Sequence, residues 1–92
     1  MNVWLLAFKL SEPGPSGNKY ALAIQNTDPK DLGLSKTPLW EHSFPTIGAV
    51  KQFLVSRRVP VVISELELRL NEQKLYSLEI SRESAVQMGF KL

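Results

Sequence analysis

Polar and apolar side chains alternate along Val61–Ser81, VVISELELRLNEQKLYSLEIS. Leu66, Leu68 and Leu70 alternate with Glu65, Glu67 and Arg69; after a polar turn at Asn71–Lys74, Tyr76, Leu78 and Ile80 alternate with Ser77, Glu79 and Ser81. A period of two is what a half-buried strand requires, because successive side chains point to opposite faces. The stretch therefore predicts a β-hairpin with one wet and one dry face. An odd-length loop gives matching parity: Leu70 opposite Tyr76, Leu68 opposite Leu78, Leu66 opposite Ile80. A helix competes, since Ser64–Glu67 has capping-box spacing and Glu, Leu, Arg, Gln and Lys are good helix formers. At about 100° per residue, however, Leu66, Leu68, Leu70, Leu75, Leu78 and Ile80 scatter around the wheel. Alternation fits all of them but Leu75, so the hairpin is preferred. It expects Leu68→Glu to unfold the domain and Glu67→Lys to leave it folded.

Upstream, Asn2–Leu10 is almost continuously apolar, which predicts a central strand buried on both faces. Ser11–Asn18, SEPGPSGN, is all turn chemistry. Lys19–Asn26 alternates again and is expected to pair antiparallel with the first strand. Asp28-Pro29 reads as an N-cap followed by proline at the first helical position, with Gly33 ending that helix after about one turn. Pro38–Phe44 predicts a short third strand with Trp40, His42 and Phe44 on one side and Leu39, Glu41 and Ser43 on the other. Over Thr46–Arg58, Ile47, Val50, Phe53 and Leu54 share a helical face; Thr46 caps its start and Pro60 prevents extension. Ser81–Met88 predicts a final short helix capped by Ser81 and ended by Gly89, with Phe90 folding back towards Ala85.

The order β-β-(β)-α-β-β-α predicts an α+β domain: a single antiparallel sheet of four to five strands with two helices on one face. Ninety-two residues, 43% hydrophobic and 22% charged, suit one globular domain over 1–92. Eleven Lys and Arg against nine Asp and Glu give a net charge of +2, a weak basic bias that permits anionic partners without requiring them. With no cysteine the chain has no disulfide, thiolate ligand or cysteine nucleophile, which suits a cytoplasmic protein. The apolar run Val3–Phe8 is short and has no basic residues before it, so neither export nor membrane insertion is expected.

Candidate chemistry is sparse. His42 is the only histidine, and its neighbour Glu41 points to the opposite face of a strand, so no catalytic or metal-binding role is assigned to it. Glu65, Glu67 and Glu79 share the wet face of the predicted hairpin with Arg69, a charged surface rather than a pocket. Gly14 and Gly17 lack the GK[ST] of a phosphate loop. Lys51, Arg57 and Arg58 on the main helix offer a basic face for phosphates; that use requires one patch with no carboxylate inside it. Trp40 and Phe44 follow the connector, and aromatic residues are enriched at binding hot spots. By elimination, the expected function is a small non-catalytic protein–protein interaction module, or a subunit of a complex, without cofactor or metal. Its contacts would be Trp40, Phe44, Glu65, Glu67 and Arg69; its partner is another protein, or a second copy as a homodimer. Nucleic-acid binding through Lys51, Arg57 and Arg58 is the alternative.

Overall fold

The computed structural model describes residues 1–14 and 16–92. Eight elements follow in order: β1 Asn2–Lys9, β2 Tyr20–Gln25, α1 Pro29–Leu32, β3 Trp40–Phe44, α2 Ile47–Ser56, α3 Ile63–Asn71, β4 Tyr76–Ser81 and α4 Arg82–Gln87. The strands form one antiparallel sheet in the order β3-β2-β1-β4. The α+β class and the single antiparallel sheet are as the sequence predicts. Part of the predicted turn at Ser11–Asn18 falls on Pro15, outside the described residues.

The sheet is built around β1, whose Val3, Leu5, Leu6 and Ala7 are all buried. Val3, Leu5 and Ala7 face the helices, meeting Leu22 and Ile24 of β2 and Tyr76 and Ile80 of β4 in one core with Val50 and Leu54 of α2, Leu66 and Leu70 of α3, and Ala85 of α4. Leu6 points the other way yet is 0% exposed, and its register partner Ala23 is buried too. The connector between β2 and β3 crosses this same face. Pro29 and Lys30 line a hollow with Ser77 of β4, so the connector runs over the outer face before returning to β3. Gln25 fastens it: its Nε2 donates to the Thr27 carbonyl at 2.7 Å and to the Gly33 carbonyl at 3.0 Å, while Oε1 accepts from the Ser35 N–H at 2.8 Å. Asp28 caps α1 through the Lys30 N–H, with Pro29 inside the first turn, as its dipeptide implies.

The predicted hairpin over Val61–Ser81 is a correction. Only its second half is a strand; Ile63–Asn71 is helix α3. Ile63, Leu66 and Leu70 stand at i, i+3 and i+7, and Leu66 and Leu70 are buried against the sheet, while Leu68 between them is 59% exposed. The scattered wheel arises from counting Leu75, in the turn before β4, and Leu78 and Ile80, in β4, as if they shared the helix of Leu66 and Leu70. Topology demands the same result: β3 and β4 are the two edges of the sheet, and α2 and α3 carry the chain across its helix face from one to the other. The start of α3 has no side-chain cap of its own; instead the Val62 N–H donates to the Tyr76 hydroxyl at 3.1 Å. The predicted capping box at Ser64 is thus two residues inside the true boundary.

The three longer helices end alike. In each, a residue in the left-handed region follows the last turn: Arg58 (φ 59°), Gln73 (φ 58°) and Gly89 (φ 94°). The Val59, Lys74 and Phe90 amides reach back to the Leu54, Arg69 and Ala85 carbonyls at 3.0, 2.7 and 3.1 Å, the six-to-one bond of a Schellman motif. Val59 and Phe90 are buried immediately afterwards. Gln73 is exposed and carries the cost of a Cβ in this conformation, so Gln73→Gly is expected to raise stability by about 0.5–1 kcal/mol in chemical denaturation. An unchanged or lowered midpoint would show that the Gln73 side chain itself holds the turn. Gly89→Ala should act oppositely, losing about 1–3 kcal/mol, because the new Cβ would be strained by the positive φ and would collide with the Arg57 guanidinium. A thermal melt equal to the wild type would contradict that placement.

Candidate functional site

The main concentration of unusual side chains lies at the β3 edge. Alternation along β3 turns Trp40, His42 and Phe44 to the helix side and Glu41 and Ser43 to the outer side, as the sequence predicts. The sheet-facing side of α2 brings Phe53 beneath them, and the Schellman turn after α4 brings Phe90. Trp40 stacks on Phe53 with centroids 5.8 Å apart and meets the Phe90 ring edge-on at 4.8 Å. Phe44 packs edge-on against both Phe53, at 5.2 Å, and His42, at 4.9 Å. Such pairs add about 0.5–1.5 kcal/mol each beyond burial. Arg57 closes the cluster: its guanidinium lies 4.5 Å over the Phe53 ring and 5.4 Å from that of Phe90, and Nη1 donates to the Met88 carbonyl at 3.2 Å. The aromatic cluster is therefore well ordered on its helix side, while Trp40 is only half-buried and His42 is exposed.

The ladder settles which backbone groups of β3 are free. Successive residues of an antiparallel strand turn their N–H and C=O to opposite sides. The Leu10 N–H donates to the Lys19 carbonyl at 2.8 Å, which fixes the phase: Ala21, Ala23 and Gln25 turn to β1, and Tyr20, Leu22 and Ile24 turn to β3. The Ile24 carbonyl accordingly accepts from the Leu39 N–H, also at 2.8 Å, at the start of β3. Trp40, His42 and Phe44, the register partners of Ile24, Leu22 and Tyr20, bond inward. Glu41 and Ser43 turn their backbone groups outward, to an edge that no strand occupies among the described residues. On the outer face, Ser43 Oγ accepts from Asn18 Nδ2 at 2.8 Å.

The residues singled out from the sequence do not form one surface. Trp40 and Phe44 belong to β3, but Glu65, Glu67 and Arg69 lie on α3, which packs on β1 and β4 towards the opposite edge. There Glu65 and Arg69 pair along the helix at 3.3 Å and, with Lys30, flank Tyr76 and Leu78 of β4. Charges beside an edge strand discourage pairing, so β4 is guarded in a way that β3 is not. Glu67 is engaged elsewhere, 2.7 Å from Lys51 Nζ. That ion pair sets a carboxylate inside the basic face of α2, and Arg57 is held by the Phe53 and Phe90 rings. Lys51, Arg57 and Arg58 thus do not meet the condition of one carboxylate-free patch. The pair itself joins α2 to α3 at half-exposed positions, so a double-mutant cycle on Lys51 and Glu67 should give a coupling below about 1 kcal/mol; a larger value would mean that it is shielded from solvent.

His42 lines a shallow hollow of about 590 Å³ with Glu41, Ser43, Phe8 and Ala21. Among the described residues no hydrogen bond joins it to a carboxylate or a hydroxyl, and no three His, Asp or Glu side chains converge at ligand distance. No helix among them is long and apolar enough to cross a membrane. Glu41, His42 and Ser43 are edge residues to which sequence reasoning gave no contact role; the signal for them was the strict alternation of WEHSF.

Fold and site together define a small α+β domain in which charges flank the β4 edge and, among the described residues, no strand pairs with the β3 edge. No protein-family model, curated protein or solved structure matches the chain.

Proposed function

We propose that this chain is a small non-catalytic interaction module that receives an extended polypeptide strand along the outer edge of β3. The observation that carries this reading is the pair of outward-turned residues Glu41 and Ser43, beside the half-buried Trp40. Main-chain hydrogen bonds from an added strand supply affinity, and side chains at alternate positions supply selectivity. Trp40, His42 and Phe44 offer an apolar, aromatic side to such a strand; Glu41 and Ser43 offer a polar one. The contrast with β4 supports the choice of edge, since Lys30, Glu65 and Arg69 flank that strand.

Ser43→Pro tests the reading, because it deletes an outward N–H while proline is tolerated on an exposed strand edge. Tagged wild-type and Ser43→Pro proteins would be used to capture partners from host extract, with and without nuclease. With transient complexes fixed by brief chemical cross-linking before capture, the expected result is a protein that survives nuclease and is lost by at least about tenfold with Ser43→Pro, as removal of a strand-pairing bond and its neighbours implies. A partner indifferent to Ser43→Pro, or recovered only with nucleic acid, would refute it.

A further inference from the structure

We infer that the strand received by this edge is β3 of a second copy of the chain, running antiparallel about a two-fold axis through His42. The inference rests on the strand-addition reading and adds the identity of the occupant.

Parity and charge select this register among the self-pairings. Hydrogen-bonded pairs need outward-turned residues on both strands, so the two-fold must sit at Glu41, His42 or Ser43. At Glu41 it would set the two Glu41 carboxylates directly opposite each other, and like charges so placed are destabilising. At Ser43 it would set Glu41 opposite Pro45, which has no N–H to return the bond. At His42 it sets Glu41 opposite Ser43 of the second copy, twice, on either side of an unbonded His42–His42 pair.

The side chains suit that register. The Ser43 hydroxyl oxygen accepts from Asn18, which leaves its hydrogen to donate. Directly opposite is the Glu41 carboxylate, exposed and in none of the ion pairs among the described residues. Each copy thus supplies one donor and one charged acceptor to the other. On the helix side Trp40 comes opposite Phe44 of the second copy, extending the aromatic cluster across the axis and joining two four-stranded sheets into one. A five-residue edge buries little area, below the roughly 1,200 Å² of stable complexes, so a transient dimer is expected, with a dissociation constant on the order of 0.1 mM.

The absence of cysteine makes the register directly readable. Opposed residues of a non-hydrogen-bonded pair have Cα atoms about 4.5 Å apart, within the range of about 4.4–6.8 Å that a disulfide spans. Under mild oxidation His42→Cys should therefore form a covalent dimer at least about tenfold faster than Glu41→Cys or Ser43→Cys, whose like positions are about 7–8 Å apart on the diagonal. Adding Ser43→Pro to His42→Cys should abolish that preference, with circular dichroism confirming the fold; if that double variant does not fold, Glu41→Lys takes its place. Sedimentation of the wild type should show mass rising towards the dimer by about 1 mM. Equal cross-linking rates at the three positions, or a monomer at every concentration, would overturn the second copy as occupant. In that event strand addition still stands if Ser43→Pro releases a captured protein, and falls with it if Ser43→Pro releases nothing.

Discussion

Leu66→Ala is expected to destabilise the domain by about 2–5 kcal/mol, while Leu68→Ala costs less than about 0.5 kcal/mol. Leu66 is 0% exposed in the core beneath the sheet, and Leu68, two residues on, is 59% exposed. Truncating the first loses apolar contact and leaves a cavity that its neighbours fill only partly. Truncating the second exchanges one exposed helical residue for a better helix former. Small domains are stable by only about 5–15 kcal/mol, so the first loss would leave a measurable unfolded fraction under native conditions. Urea denaturation of both variants checks this. A strand over Val61–Leu70 would instead bury Leu66 and Leu68 alike, and equal losses would reinstate it.

Gln25→Leu is expected to cost about 2–4 kcal/mol and to loosen one region selectively. Gln25 is 2% exposed and has all its polar atoms satisfied by the connector. Replacing it leaves the half-buried Ser35 N–H without its partner, at about 1–3 kcal/mol, and removes the bonds to the Thr27 and Gly33 carbonyls, for which water substitutes in part at the exposed Gly33. Leu6 and Ala23 are buried on the face that the connector crosses, so its release is expected to expose apolar surface there. Amide exchange separates the effects: Ser35 should lose protection well before Leu5 or Leu22 of the central strands. Unchanged protection at Ser35 would mean that the connector is held by something other than Gln25.

The two predictions mark where the sequence was readable. Local chemistry was legible wherever one residue type has one use. Asp28-Pro29, Thr46, Ser81 and Gly89 each took the terminal position that their residue types imply, and the apolar run of β1 gave a central strand buried on both faces. The helix α3 was not legible, because over so few turns Leu66, Leu68 and Leu70 make one strand face while Ile63, Leu66 and Leu70 make one helical face. The tie is broken by what Leu68 meets, and that depends on β4 lying at the far edge, which no local pattern encodes. Its N-terminal support comes from the Tyr76 hydroxyl, remote in sequence, whereas the capping box legible at Ser64–Glu67 lies inside the helix and caps nothing.

The candidate surface was legible in part for the same reason. Trp40 and Phe44 stood out by residue type, and their side of the strand followed from alternation. Glu65, Glu67 and Arg69 were grouped with them only through the hairpin, and they moved to the other end of the sheet when it became a helix. Glu41 and Ser43 were placed on one side of the strand but given no contact role, since a free backbone edge is a property of strand order rather than of composition. Phe53 and Phe90 join Trp40 through packing between α2 and the C-terminal turn, a meeting of segments far apart in the chain.

Amide hydrogen exchange along β3, in dilute and in concentrated protein, tests the central claim most directly. In dilute protein the inward-turned His42 amide should be protected, and those of Glu41 and Ser43 should exchange nearly freely. On concentration, protection should rise at Glu41 and Ser43 and stay level along Tyr76–Ser81, the guarded edge. Glu41 and Ser43 already protected in dilute protein, or protection rising along β4 instead, would contradict the assignment of β3 as the edge that binds.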